Sequence, residues 1–285
     1  MPAPTTLRIA LGDYPHTLPL KRREITSPWL TLDFVEVTPM HKAFKPMVRE
    51  HAYDASEMAL VTAIQAKAYD KGLKLLPAAM LSRFQHGTML YNAERGAIAP
   101  ADLPGKRIGV RSYSQTTGVW IRGILENDYG IDMSGVQWVT FEDGHVAEAE
   151  EPAGVIRADP GADITEMLLA GALDAAIYGA VPKDERLRSV VPDPETAALA
   201  WYEKHRLVPV NHMVVVTQEL ARANPDAVAE LYRLLEQGKA AAAKQGPLDT
   251  TPFGREANRP CLELLMRYAV QQKLVPRAFS VDELW

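Results

Sequence analysis

Short apolar runs alternate along the chain with stretches in which apolar residues recur every three to four positions. The runs at 7–11, 29–35, 58–60, 73–80, 88–91, 107–110, 136–139, 175–177 and 213–216 predict buried strands. The helical spacing predicts helices over 41–51, 62–70, 118–128, 164–170, 194–203, 225–243 and 258–271. The helix from Pro225 is the clearest: Asn224 stands at the N-cap, Pro225 fits the first turn, and Val228, Leu231, Leu234 and Leu235 share one face. Strand–helix alternation of this kind predicts an α/β fold with parallel sheets and crossover helices. There is no internal repeat, low-complexity tract or long linker.

Two stretches read as crossings between lobes. One is the polar, turn-rich segment from Tyr91 to Ala101, and the other is Pro209-Val210-Asn211-His212, just before an apolar strand. They divide the chain into a first lobe begun by residues 1–91, an inserted second lobe of residues 92–211, and a completion of the first lobe by residues 212–285. A length of 285 residues suits two such lobes. In folds of this kind the ligand is expected in the cleft between lobes, at the carboxyl ends of strands.

Composition narrows the function classes. A net charge of −5 gives no support to nucleic-acid binding, and no apolar run is long enough for a membrane helix. The single cysteine, Cys261, excludes an internal disulfide and cysteine-based zinc sites, and its helical spacing with Leu264, Leu265 and Tyr268 predicts a core position. Met1 to Thr6 lead straight into a strand without a basic segment and long apolar run, so a cytoplasmic protein without a signal peptide is expected.

The most informative passage for chemistry runs from Gly105 to Gly118. A buried strand (Ile108, Gly109, Val110) stops at Arg111, small polar residues follow, and a helix begins. The first backbone N–H groups of a helix lack partners and favour an anion, and an arginine fork beside them suits a carboxylate. Arg111, Ser114, Gln115, Thr116 and Thr117 are therefore candidate anion-binding residues. In the loop after the first strand, Asp13 and Tyr14 are candidate ligand contacts, and His16 can hold or deliver a proton near neutral pH. Ser56 can donate to a carboxylate, and Glu57 can accept from a ligand hydroxyl. Arg83 reads as a second carboxylate clamp and His86 as a second proton donor. In an extended segment Arg83 and Gln85 would share a face opposite His86. Tyr178, at the end of a short strand, and His212, at the second crossing, complete the candidate set. Glu142 and His145 follow a strand but fit a plain turn equally well. Signatures for nucleotide loops, zinc proteases, EF-hands and α/β-hydrolases are absent, no metal-ligand spacing occurs, and no cofactor is expected.

Gly12-Asp13-Tyr14-Pro15-His16-Thr17, Ala52-Tyr53-Asp54-Ala55-Ser56-Glu57-Met58, the Gly105–Gly118 passage and Asn211-His212-Met213 occur in an order that resembles the 4,5-dihydroxyphthalate decarboxylase family. The resemblance implies a two-lobed, type 2 periplasmic-binding-protein-like α/β fold. It also implies that the segment around Ser56 and Glu57 faces the cleft opposite the first loop. The implied activity is cofactor-independent loss of CO₂ from a hydroxylated aromatic dicarboxylate. Such a site needs a clamp (Arg111 or Arg83), an acceptor for the ring hydroxyl (Glu57 or a neutral histidine) and a proton donor (His16, or alternatively His86). The same clamp would equally serve a non-enzymatic solute-binding protein for an aromatic or small acid. The expected partner is thus a small aromatic carboxylate, with no nucleic acid or membrane, and the sequence is compatible with a homo-oligomer.

Overall fold

The structure, a computed structural model, describes residues 5–242, 246 and 248–285. The expected leaderless start at Met1 and the expected helix end at Ala243 lie outside the described residues. In chain order the elements are β1 (Thr5–Ala10), α1 (Leu18–Lys21), β2 (Leu30–Phe34), α2 (Phe44–Glu50), β3 (Ala55–Ala59), α3 (Leu60–Ala68), β4 (Leu73–Ser82) and β5 (Met89–Asn92). Next come β6 (Arg107–Val110), α4 (Thr116–Asn127), β7 (Gln137–Thr140), β8 (Ile156–Arg157), α5 (Ile164–Ala170), β9 (Ala175–Ile177), β10 (Leu187–Ser189) and α6 (Pro194–His205). The chain ends with β11 (Val210–Thr217), α7 (Gln218–Ala223), α8 (Pro225–Ala241) and α9 (Arg255–Gln271).

Two units divide the chain. Lobe 1 comprises the described residues up to Ser82 together with Val210–Glu263 and Arg277–Trp285, and lobe 2 comprises Arg83–Pro209 and Leu264–Pro276. The sheet of lobe 1 has the order β2-β1-β3-β11-β4. β1 runs parallel to β2 and β3, whereas β11 runs antiparallel to both β3 and β4. Its core joins Leu7, Ile9 and Leu11 to Leu231, Leu234 and Leu235 of α8. The Asn224 side chain caps α8 by accepting from the Ala227 N–H at 3.1 Å, as its sequence predicts. Cys261 is buried and accepts from the Val210 N–H at 3.4 Å, and burial pushes its thiol up to about 12.

Lobe 2 carries a sheet of order β10-β5-β9-β6-β7-β8, in which β6 is parallel to β7 and β9 while β5 is antiparallel to β9 and β10. Both sheets are therefore mixed, which corrects the expectation of parallel sheets. In lobe 1 the reason is topological: β4 leads out of the lobe, β11 leads back in, and the two are neighbours. The first boundary also differs from the expected one. Residues 89–92 pair inside the second sheet, so the division falls at Ser82/Arg83 rather than after Tyr91. The return falls at Pro209/Val210, and residues 264–276 belong with lobe 2 instead of completing lobe 1.

The attachment of that last segment is visible in α4. Trp120 meets Tyr268 of α9 edge-on, with ring centroids 5.7 Å apart. A Cβ on Gly123 would lie 2.2 Å from a Tyr268 ring carbon, so only glycine permits this approach. Gly123→Ala should lower stability by about 1–3 kcal/mol through forced repacking, read as a lower urea midpoint. An unchanged midpoint would show that α4 and α9 are not packed this closely.

Candidate functional site

The polar centre of lobe 1 is assembled on three neighbouring strands. After β1 the chain closes into a tight loop in which the Thr17 hydroxyl donates to the Gly12 carbonyl (2.7 Å) and accepts from the Tyr14 N–H (2.9 Å). This loop presents the Tyr14 hydroxyl and the Gly12 N–H to Glu57 on β3, at 2.7 and 3.0 Å. Gly12 is needed for this approach: a Cβ there would lie 2.7 Å from the Tyr14 ring and 3.0 Å from a Glu57 oxygen. From β11, His212 reaches the same carboxylate with Nδ1 at 2.6 Å. The register explains the contact, because Glu57 lies opposite Val214 and Ala59 opposite His212, which makes Glu57 and His212 diagonal neighbours on one face.

Glu57 is fully buried. Burial alone would raise its pKa, but the hydrogen bonds from His212, Tyr14 and Gly12 outweigh it and hold the carboxyl below its usual range. Burial and the adjacent Glu57 charge push the Tyr14 hydroxyl well up, so it stays a proton donor to the carboxylate. Against the ionised Glu57 the His212 Nδ1 carries the proton, and Nε2 is the ring nitrogen left outside that bond. Phe44 braces the His212 ring edge-on at 5.0 Å.

His16 stacks on Tyr14, with centroids 5.2 Å apart and planes within 2°. It is buried, its Nε2 has no protein partner among the described residues, and burial drives its pKa down to about 4. At neutral pH it is an uncharged imidazole. Two other residues expected in this group serve elsewhere. Asp13 is exposed and pairs with Lys21, which also meets Glu36 at 3.1 Å. Ser56 donates to the Glu57 carbonyl at 2.7 Å. As a strand neighbour of Glu57 it points to the opposite face, so the two side chains do not act on one ligand as expected.

In lobe 2, the Arg83 Nη2 donates to the Thr117 hydroxyl at 2.9 Å, which sets Arg83 at the first turn of α4. Residues 83–87 are not a strand, so the expected alternation of Arg83, Gln85 and His86 does not apply; the Gln85 amide instead donates to the Arg83 carbonyl at 2.8 Å. His86 is buried with neither ring nitrogen partnered among the described residues, packs edge-on against Trp201 at 6.2 Å, and is driven by burial to a pKa of about 4. Arg111 lies 3.5 Å from the half-exposed Glu142, and burial lowers its pKa. Ser112 and Ser114 share a hydroxyl contact at 3.3 Å. Gln115 precedes α4 without capping it through its side chain, and Thr116 and Thr117 are buried in the first turn. Tyr178, expected to meet ligand, donates to the Thr165 hydroxyl at 3.2 Å and packs with Leu90 and Leu168.

One functional-looking group escaped the sequence reading. Arg122 is buried inside α4, its Nε donating to the Gln272 amide oxygen (2.7 Å) and its Nη2 to the Tyr113 carbonyl (2.6 Å). The guanidinium lies 4.1 Å from the Tyr113 ring centroid and 5.0 Å from that of Trp138. Burial lowers its pKa to about 10, so it is still charged at neutral pH. An arginine within the apolar stretch Val119-Trp120-Ile121 was the available signal. Among the described residues, no three His, Cys, Asp or Glu side chains gather in a metal-ligating group, and no helix is long and apolar enough to cross a membrane.

No protein-family model matches the chain. The 4,5-dihydroxyphthalate decarboxylase of Comamonas testosteroni is 31% identical over 249 residues, covering 83% of this chain and 75% of its own. That of Pseudomonas putida is 31% identical over 209 residues, covering 69% of this chain and 81% of its own. Among solved structures, the alkanesulfonate-binding protein SsuA from Xanthomonas axonopodis pv. citri aligns with a TM-score of 0.59 at 14% identity, over 100% of this chain and 99% of its own. A Candida albicans protein, the CA3427 gene product, described as having the generic periplasmic binding protein structural fold, aligns with a TM-score of 0.56 at 12% identity, over 98% and 93%. The chain thus has the two-lobed, type 2 periplasmic-binding-protein-like α/β fold expected from its sequence.

The buried neutral histidines link stability to acid. The unfolded chain takes up these protons near the ordinary value of 6.5 and the folded lobes only near about 4. Between those values the unfolded state holds more protons, so stability falls as the pH is lowered across the window. Urea unfolding at neutral pH and at about pH 4.5 should show a smaller acid loss in His86→Phe than in the wild type. Equal losses would mean that His86 titrates normally.

Proposed function

Because the chain belongs to the 4,5-dihydroxyphthalate decarboxylase family, we propose that it is a carboxy-lyase acting on a hydroxylated aromatic dicarboxylate, converting 4,5-dihydroxyphthalate to protocatechuate and CO₂. The proposal includes a cofactor-free reaction and a cytoplasmic location. A hydroxyl para to the departing carboxylate makes a cofactor dispensable, since its deprotonation pushes electrons toward the carbon that bears the carboxylate. That carbon takes a proton, its bond to the carboxylate breaks, and the electron pair restores the aromatic ring as CO₂ leaves.

The observation that carries this reading is the Glu57–His212 pair, a buried carboxylate holding an imidazole by one nitrogen. A carboxylate so placed orients the ring, the arrangement that other enzymes use for proton transfer through the second nitrogen. We therefore assign the general acid to His212, which takes up a proton from solvent at Nε2 and then donates it to the ring carbon, with Glu57 as its positioning residue rather than the acceptor of a substrate hydroxyl. His16, neutral because it is buried, accepts a hydrogen bond from the ring hydroxyl and holds it as electron density shifts into the ring, instead of acting as the acid. Arg83 and Arg111 keep the carboxylate-binding role expected from the sequence. A binding protein without catalysis is the second reading, favoured by the fold shared with the alkanesulfonate-binding protein.

Incubation with 4,5-dihydroxyphthalate should release one CO₂ per substrate consumed; binding without release would leave the second reading. His212→Asn should lower kcat by roughly 10²–10⁴ with KM within a few-fold. Near-normal turnover would remove the acid role from His212. Replacing Arg83 or Arg111 by Gln should raise KM at least about tenfold for a residue that clamps a carboxylate, since losing such a pair costs about 2–5 kcal/mol. A KM unchanged in both variants would take the clamp away from both.

A further inference from the structure

Lobe 1 contains a cavity of about 660 Å³ bordered by Tyr14, His16, Met80, Ser82, Lys239 and Phe253. This is within the size range of small-molecule sites. Two of its lining residues carry buried polar atoms without a protein partner among the described residues: Nε2 of His16 and Oγ of Ser82. Leaving such an atom unsatisfied costs about 1–3 kcal/mol, so native proteins seldom do so without a ligand or solvent partner. Met80 and Phe253 add apolar surface on which a ring can rest.

The charges bordering the cavity select the kind of group it accepts. Its cation among the described residues, Lys239, is already bound to Asp249 at 2.6 Å and to the Thr251 carbonyl. Glu236 and Asp249 also border the space. A carboxylate would therefore meet paired or negative groups. An uncharged hydroxyl would find an acceptor in neutral His16 and a donor or acceptor in Ser82.

We propose that this cavity holds the hydroxyl-bearing edge of the aromatic substrate, with His16 Nε2 and Ser82 Oγ as partners of the two ring hydroxyls. The assignment rests on the decarboxylase reading for the identity of the substrate, but not for the presence of the site. It makes Ser82 a residue that determines specificity for hydroxylated over plain aromatic acids.

Catechol is the suitable probe, because it carries the hydroxylated edge and no carboxylate. In calorimetric titrations of the full chain, Ser82→Ala should weaken catechol binding about fivefold or more, equivalent to about 1 kcal/mol for one lost hydrogen bond. Ala240→Trp, which fills the cavity from an exposed helix position, should weaken it further, while phthalate affinity changes less than twofold in Ser82→Ala. Catechol affinity unchanged in both variants, or no catechol binding by the wild type, would overturn the assignment. CO₂ release from 4,5-dihydroxyphthalate alongside such a result would leave the decarboxylase reading intact. Catechol binding sensitive to both variants, with no CO₂ release, would keep the cavity and remove that reading.

Discussion

A carboxylate with no exposure to solvent is tolerable only where several donors replace its water, and lobe 1 is arranged around that requirement at Glu57. Its three donors come from two different segments: the Gly12–Tyr14 loop and the strand that carries His212. Each donor is held by something else in turn. Thr17 closes the loop, the absence of a Cβ at Gly12 lets the backbone approach, and the β3–β11 register brings the imidazole alongside. Removing one partner of a buried ionic pair typically costs about 3–5 kcal/mol, so the carboxylate couples the geometry of three strands to the orientation of one histidine. Two of the chemical properties attributed to this lobe, a histidine fixed in one tautomer and a tyrosine kept protonated, are by-products of stabilising that charge.

Lobe 2 faces the opposite problem and meets it with different chemistry. Among the described residues no carboxylate is hydrogen-bonded to the buried cation Arg122; an amide oxygen, a backbone carbonyl and two aromatic faces take that place. Aromatic faces attract a guanidinium without introducing a second charge that would itself need solvation. His86 shows the third option, which is to leave the buried group uncharged. Ionised and paired, ionised over aromatic rings, and neutralised by burial thus occur within one chain.

Much of this was legible in the sequence one residue at a time, and little of it as a constellation. Asn224 and Pro225 announce α8, and the stop at Arg111 announces the start of α4, because caps and strand ends are local. Tyr14, Glu57 and His212 could be named as chemistry-bearing positions near strand ends. Their convergence could not, since the His212–Glu57 bond joins residues 155 positions apart. Strand direction is likewise not written in an apolar run: residues 210–217 read the same whether parallel or antiparallel. Residues 89–92 look like any buried strand, and only their partners show which lobe they serve. Period-two alternation along β3 is legible and places Ser56 and Glu57 on opposite faces. A charge inside an apolar helix such as Arg122 reads as solvent-facing until its partners, Tyr113, Trp138 and the distant Gln272, are known.

The separation of Glu57 from His212 also sets an order of events during synthesis. At about 5–20 residues per second, the imidazole follows the carboxylate out of the ribosome by roughly 8–30 s. Over that interval β3 has β1 beside it but lacks β11, and Glu57 must stay hydrated because its charge has lost a principal partner. Lobe 1 therefore waits for the whole of residues 83–209 to be made. Lobe 2 waits in turn for residues 264–276, which supply Gln272 to Arg122 and Tyr268 to Trp120. One helix, α9, begins in the first unit and ends in the second. A nascent chain stopped before it would hold every strand of both sheets and every partner of Glu57, but Arg122 would still lack Gln272.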